Sequence, residues 1–305
     1  MNPFVLPERG IGDTRPLCPW ASPLHNDYYT PVDNTQTAFG AFKAAIAAKP
    51  ALVPYGRAVL VSGGQGCGKT ALIHRCASWL RQSLMHQVNT DVLILDLTLE
   101  GINGIDTAGR IQHICSRVVD ELELRTVFGQ SELTALDKRR EDAPKAYPYL
   151  GQILANNSKA LAVLLPPLEV PDELRRYAAL AKQHLVFFCE SSYDSVAEYC
   201  VTSLGPASTT PVLHLSVGVL SVEDGWRFVE SRVRRVEGLG IPMPTVTEDT
   251  IRRLMEARIK GRGKTNMREL QMACLNVFEE AISRTAPSVE YADFTDYYTQ
   301  RGSVA

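Results

Sequence analysis

The chain has 305 residues, 45% of them hydrophobic and 22% charged, with 32 Lys+Arg against 34 Asp+Glu and a net charge of −2. That balance fits a packed globular protein of one large or two small domains, excludes a wholly disordered or collagen-like chain, and supplies no global basic field. No apolar run approaches the roughly 18 residues of a membrane span.

Met1 to Arg9 has neither the basic start nor the apolar core of a secretory signal. Seven scattered cysteines (Cys18, Cys67, Cys76, Cys115, Cys189, Cys200, Cys274) form no C-x-x-C pair. Free thiols and a cytoplasmic location are therefore expected. The histidines form no H-x-x-x-H pattern, so no His/Cys metal site is expected.

Residues 1–34 carry Pro3, Pro7, Pro16, Pro19, Pro23 and Pro31, which predicts an irregular lead-in, with Trp20, Tyr28 and Tyr29 available to pack. Thr35 to Ala48 reads as a helix stopped by Lys49-Pro50. Ala58 to Val61 is a short strand-like run, followed by glycines and a helix from Thr70 to about Met85. Val92–Leu97 is a second strand and Ile105–Leu124 a helix. Leu161–Leu165, Leu185–Cys189 and Pro211–Val217 are the third, fourth and fifth strands. Nearly continuous apolar strands separated by helices predict a parallel sheet covered on both faces. Residues 126–160, with the charged stretch Asp137–Asp142, read as an insertion or a helical excursion.

After residue 219 the strand signals stop. Val222, Trp226, Val229, Val233 and Val236 recur at helical spacing. Thr247 caps a helix bearing Ile251, Leu254, Met255 and Ile259. Asn266-x-x-Glu269 approaches a capping box ahead of Leu270, Cys274, Val277, Phe278 and Ala281. The expected architecture is α/β. A three-layer domain with a parallel central sheet spans 35–218, and a small domain of about three helices plus a tail, Tyr291–Ala305, spans 219–305.

Gly63-Gly64-Gln65-Gly66-Cys67-Gly68-Lys69-Thr70 matches the phosphate-loop pattern G-x-x-x-x-G-K-[ST], with the strand AVLV before it and the helical ALIHRCASWL after it. Glycines open backbone conformations closed to other residues. Their amides and the helix N-terminus then bind phosphate oxygens. Lys69 is expected to meet the β- and γ-phosphates, and the Thr70 hydroxyl to ligate Mg²⁺. Gly263-Lys264-Thr265 lacks the first glycine, since position 258 is Arg258, and no apolar strand precedes it. It reads as a loop between helices. An N-K-x-D motif is absent, which favours ATP over GTP.

A phosphate-loop site also needs an acid at the end of another strand, to hold Mg²⁺ and polarise water. Two runs compete: VLILD, ending in Asp96, and LAVLL, followed by Pro166, Pro167, Leu168 and Glu169.

Taken in order, the phosphate loop, the five strands and the helical end resemble an AAA+ ATPase of the origin-recognition, transposition-regulator or STAND-like branches, over about residues 35–285. The resemblance implies a P-loop NTPase fold whose helical end forms a lid over ATP and Mg²⁺. It implies an acid after the third strand, where Pro166-Pro167 stands in place of Asp-Glu and Glu169 is the nearest acid. It implies a polar γ-phosphate sensor at the end of the fourth strand, Glu190-Ser191-Ser192, with Ser191 as candidate. It also implies a sensor arginine in GRGKTNMREL, which is Arg268. The arginine finger of the family has no counterpart, because no Arg or Lys occurs from Ser191 to Gly225.

The expected function is an ATP-binding switch with weak or partner-dependent hydrolysis, acting through a protein partner or self-assembly. Two readings stay open beside it: a DNA-associated motor or transposition and replication regulator, and an interaction module with a structural nucleotide. For the first, Arg252, Arg253, Arg258, Lys260, Arg262, Lys264 and Arg268 offer a locally basic segment. A solvated helix face is the blander account of the same residues.

Overall fold

A computed structural model describes residues 1–6, 8–10, 13, 15–47, 56–101 and 104–302. Pro7, Ala48, the predicted stop at Lys49-Pro50 and residues 303–305 lie outside them. The chain forms two compact units. One holds Ala38–Gly63 and Leu72–Ser216, and the other holds Met1–Thr37, Gly64–Ala71 and Val217–Ala305.

The first unit is built on a five-stranded sheet: β1 (Arg57–Ser62), β2 (Asp91–Asp96), β3 (Lys159–Leu164), β4 (Leu185–Ser191) and β5 (Val212–Ser216). Every pairing is parallel, in the order β2-β3-β4-β1-β5. All seven residues of β4 are buried. That is the signature of a strand covered on both faces, and it explains why these strands read as unbroken apolar runs.

Alternation sorts the strand residues between two layers. Leu185, Phe187 and Cys189 of β4 join Ala58, Leu60, Leu161 and Val163 in one core. Helices α3 (Thr107–Leu124), α4 (Gln130–Asp137), α5 (Ala143–Asn156), α6 (Pro171–Leu180) and α7 (Asp194–Ser203) cover that core. Phe188 points to the other face, where its ring lies 5.8 Å from Phe42 of α1 (Thr35–Ala47). Phe42 in turn meets Trp79 of α2 (Lys69–Val88) edge-on at 5.8 Å. The arrangement is a three-layer α/β fold.

Residues 126–160 are the helical excursion of the two alternatives. They form α4 and α5, and Leu136, Tyr147, Leu150, Ile153 and Leu154 are core residues. The charged stretch is the turn between the two helices, where Asp142 caps α5 by accepting from the Lys145 N–H.

The second unit contains α8 (Val222–Glu237), α9 (Glu248–Arg262), α10 (Met267–Ser283) and α11 (Tyr291–Gly302). The expectation of about three helices is corrected to four among the described residues, because the tail forms α11 around the fully buried Phe294. A two-residue parallel pair, β6 (Thr245–Val246) with β7 (Ser288–Val289), was not expected.

The expected caps are present. The Thr247 hydroxyl accepts from Thr250 N–H, and Asn266 Oδ1 accepts from Glu269 N–H. The Glu269 carboxylate faces Arg258, Arg262 and Thr265.

Among its described residues the proline-rich lead-in is irregular apart from a 3₁₀ turn, Pro23–Tyr28. It does not stand apart from the helices. Phe4 and Val32 belong to the same core as Phe228, Leu254, Phe278 and Phe294. Asn2 Nδ2 donates to the Leu275 carbonyl at 2.7 Å. The Tyr28 ring meets the guanidinium groups of Arg232 (4.5 Å) and Arg235 (4.4 Å). Burial pushes Arg232 down to about 9.

Candidate functional site

Gly64 to Thr70 and Arg268 fall in the helical unit, while Gly63, Glu169 and Ser191 fall in the sheet unit. The loop has the backbone that its glycines predict. Gly63, Gly66 and Gly68 adopt φ of 150°, 79° and 89°. Gly66 is excluded from carrying a side chain twice over, since an added Cβ would lie 2.8 Å from Asn266 Oδ1 and 3.2 Å from Arg268 Cβ. Helix α2 begins at Lys69, so its first N–H groups close the loop. Lys69 is buried, and its Nζ donates to the Gly64 carbonyl at 3.0 Å across the loop.

The Cys67 thiol packs inside the loop, where burial pushes it up despite the nearby Lys69 and Lys264. Positive-φ glycines, a helix N-terminus, a lysine and a following threonine form a donor set suited to polyphosphate with its Mg²⁺. Arg268 joins this loop through its backbone, because its N–H donates to the Gly66 carbonyl at 3.1 Å. Gly263 caps α9 in the left-handed conformation (φ 73°), so Gly263-Lys264-Thr265 is the turn from α9 to α10.

In the sheet unit, β4 lies between β1 and β3. Ser62, the last residue of β1, pairs with Ser191, and the Gly63 N–H donates to the Ser191 carbonyl at 3.2 Å. Ser191 therefore stands beside the point where the loop begins. Its hydroxyl is fully buried, donates to the Leu168 carbonyl at 2.8 Å and accepts from the Tyr193 N–H. Leu168 N–H donates to the Glu190 carbonyl at 2.7 Å.

These bonds pin the segment after β3. A buried ion pair pins it from the other side. Arg110 Nε meets Glu173 Oε1 at 3.1 Å, and Arg110 Nη2 donates to the Pro167 carbonyl at 3.0 Å. Glu169, carried on this braced turn, is exposed. Sequence reasoning missed Arg110 and Glu173. A helix arginine and a helix glutamate 63 positions apart leave no local signal.

Asp96, the rival acid, is already engaged. Its Oδ2 lies 3.1 Å from His74 Nε2, and its Oδ1 accepts from the Thr98 N–H and hydroxyl. Burial pushes its carboxyl up, but the bonds from His74 and Thr98 outweigh that and leave it below the ordinary value. It also sits on the edge strand. Three strand spacings of about 4.8 Å put β2 about 14 Å from β1.

The basic segment of the helical unit is largely neutralised by neighbours. Arg252 pairs with Glu248 and Glu223, Arg253 with Asp249, and Arg258 and Arg262 with Glu269. Among the described residues, no helix is long and apolar enough to cross a membrane. All seven cysteines are free.

The strand order with β4 inserted between β1 and β3, and a glycine loop leading from β1 into α2, define the fold of the AAA+ P-loop ATPases. Three solved structures share it. The ORC2 protein of Aeropyrum pernix is 12% identical, with a TM-score of 0.55 over 88% of this chain and 70% of that one. The ORC1 protein of the same organism, in complex with DNA, is 14% identical, with a TM-score of 0.56 over 91% and 67%. A Walker-type ATPase of Pyrococcus abyssi is 12% identical, with a TM-score of 0.54 over 96% and 76%. At such identities the likeness is one of fold. No family model and no curated protein matches the chain.

Proposed function

We propose that this protein is an ATP-binding switch whose own hydrolysis is slow. The observation that carries this reading is the loop Gly63–Thr70, with three positive-φ glycines leading into the first turn of α2 and Lys69 reaching across to Gly64. In this reading the loop amides and Lys69 hold the phosphates of ATP, and the Thr70 hydroxyl is a ligand of Mg²⁺. Mg²⁺ supplies charge neutralisation at the β- and γ-phosphates. Arg268, tied to the loop through Gly66, answers to the γ-phosphate. Ser191 is a positioning residue, because its hydroxyl holds the turn that carries Glu169. Glu169 is the candidate to orient water.

Slow turnover follows from three features. Prolines at 166 and 167 cannot hold a metal or orient water. Glu169 is exposed rather than held by hydrogen bonds in a dry site. The chain also lacks a cation from Ser191 to Gly225. A missing finger alone is worth a factor of about 10³–10⁵ in rate.

The DNA-associated reading draws less support, since four of the seven cations in its basic segment face carboxylates. A nucleotide that co-purifies and never exchanges would favour the interaction-module reading.

The test is a thermal shift with Mg-ATP, followed by steady-state turnover. Ligand at 100 times Kd adds about 2.7 kcal/mol to the folded state. Lys69→Ala is expected to remove most of that shift. Wild-type turnover is expected well below the ~10 s⁻¹ enzyme median. An unchanged shift in the variant rejects the loop as the site, and turnover of several per second rejects slow hydrolysis.

A further inference from the structure

Charge is distributed unevenly along this chain. No Asp or Glu occurs from Asn34 to Thr90, a run of 57 residues that holds six Lys or Arg. At the chain's average of 34 acids in 305 residues, about six acids would fall in such a run. The run supplies α1 and α2, which pack on the Phe188 face of the sheet through Phe42 and Trp79. The opposite layer is built differently. Helices α3–α7 carry nine carboxylates, and neighbouring arginines meet them: Arg110 with Glu173, Arg125 with Glu121, Arg176 with Asp172. Neither α1 nor α2 has a carboxylate of its own to offer its cations.

Within the sheet unit these two helices carry Lys43, Arg75 and Arg81. Phe39 gathers the first two, with Lys43 Nζ 4.9 Å and Arg75 Cζ 4.1 Å from the centre of its ring. Like charges held on one ring repel each other, so an anion bound here relieves a cost the fold already carries. Arg81 follows about 9 Å further along α2, at a rise of about 1.5 Å per residue. Exposed Gln82 and His86 extend the polar row. Charges spread along helices suit an extended polyanion rather than one small anion. They also fall short of the roughly four to eight clustered cations that mark attachment to an anionic membrane. Half-buried Trp79 is committed to edge contacts with Phe39 and Phe42 rather than displayed as a platform for unpaired bases. Backbone phosphates of a duplex fit this surface best.

We propose that the α1–α2 face of the sheet unit is a docking surface for double-stranded DNA, gripping its phosphates through Lys43, Arg75 and Arg81 without reading bases. The inference stands apart from the ATP reading. It also differs from the basic segment of the helical unit, whose arginines face Glu223, Glu248, Asp249 and Glu269.

The measurement is fluorescence anisotropy of a labelled duplex of arbitrary sequence, about 30 base pairs long, at 50 and 200 mM salt. Three phosphate contacts give a log–log salt slope of about −2.7, so this rise in salt is expected to cost about fortyfold in affinity. Lys43→Gln and Arg81→Gln each remove one contact and are expected to cut that loss to about twelvefold, and the double variant to about 3.5-fold. Arg253→Gln in α9 is expected to keep the wild-type loss. If Lys43→Gln does not fold, Arg81→Gln decides the matter by itself, because Arg81 is exposed. Absence of duplex binding by wild type at 50 mM salt overturns the proposal. So does a wild-type salt dependence in Arg81→Gln, or an equal drop in Arg253→Gln. Tighter binding to a single strand of the same length, or binding to phosphatidylserine vesicles without binding to the duplex, overturns it as well.

Discussion

The end of β1 shows how single residues are constrained at this site. Ser62 Oγ lies 2.7 Å from His214 Nε2, one residue before the phosphate loop begins. Burial holds the ring below its ordinary pKa, so the neutral imidazole is the form the fold prefers. The unfolded chain then binds more protons at mildly acidic pH, and stability falls as pH drops through about 6.5 toward the folded value. Above about 6.5 the His214 contribution is fully present. We expect the urea midpoint of wild type to fall between pH 7.5 and 5.5, and His214→Gln to flatten that slope. Equal slopes in the two proteins would remove His214 from the pH response.

At the level of elements, the N-terminus of α10 is the part most closely tied to the loop. Asn266 caps the helix, Arg268 N–H reaches the Gly66 carbonyl, and the two residues leave no room for a Cβ at Gly66. Movement of α10 and the shape of the loop tip are therefore coupled. Arg268→Ala is expected to weaken ATP about tenfold and ADP by threefold or less. Equal losses, measured by equilibrium binding of both nucleotides, would assign Arg268 to a surface role.

The elements differ in how far they could be read from sequence. β1–β5, α2 and the caps of α9 and α10 were legible, because long apolar runs and cap residues carry their signal locally. α4 and α5 were not, since Asp137–Asp142 and the internal Pro148 obscure a face made of Tyr147, Leu150 and Leu154. α11 carries Tyr291, Phe294, Tyr297 and Tyr298 at helical spacing, a signal that was present and went unused. β6 and β7, two residues each, are too short to show alternation. The loop was legible as a motif. The bonds that tie Ser191 to Leu168, Asp96 to His74 and Arg110 to Glu173 join distant positions and have no local trace.

The whole chain alternates between its two units, passing from one to the other after Thr37, Gly63, Ala71 and Ser216. The first residues are integral to the helical unit. Phe4 is almost fully buried, its ring 5.1 Å from Phe278 and 5.9 Å from Phe228. Phe4→Ala is expected to cost about 3–5 kcal/mol in that unit, the range for emptying a packed aromatic site. Urea unfolding followed by tryptophan fluorescence, with Trp226 in the same unit, measures it. A loss under about 1 kcal/mol would mean that the N-terminal segment is dispensable.

The bond from Asn2 to Leu275 spans 273 positions. A ribosome adding roughly 5–20 residues per second needs about 14–55 s to cover that distance. Through that interval Phe4 has been made while its partner Phe278 has not, and the nascent chain carries an unsheltered aromatic residue while the sheet strands emerge. The apolar segment around Phe4 thus waits for most of the synthesis of this chain before the helix that shelters it exists.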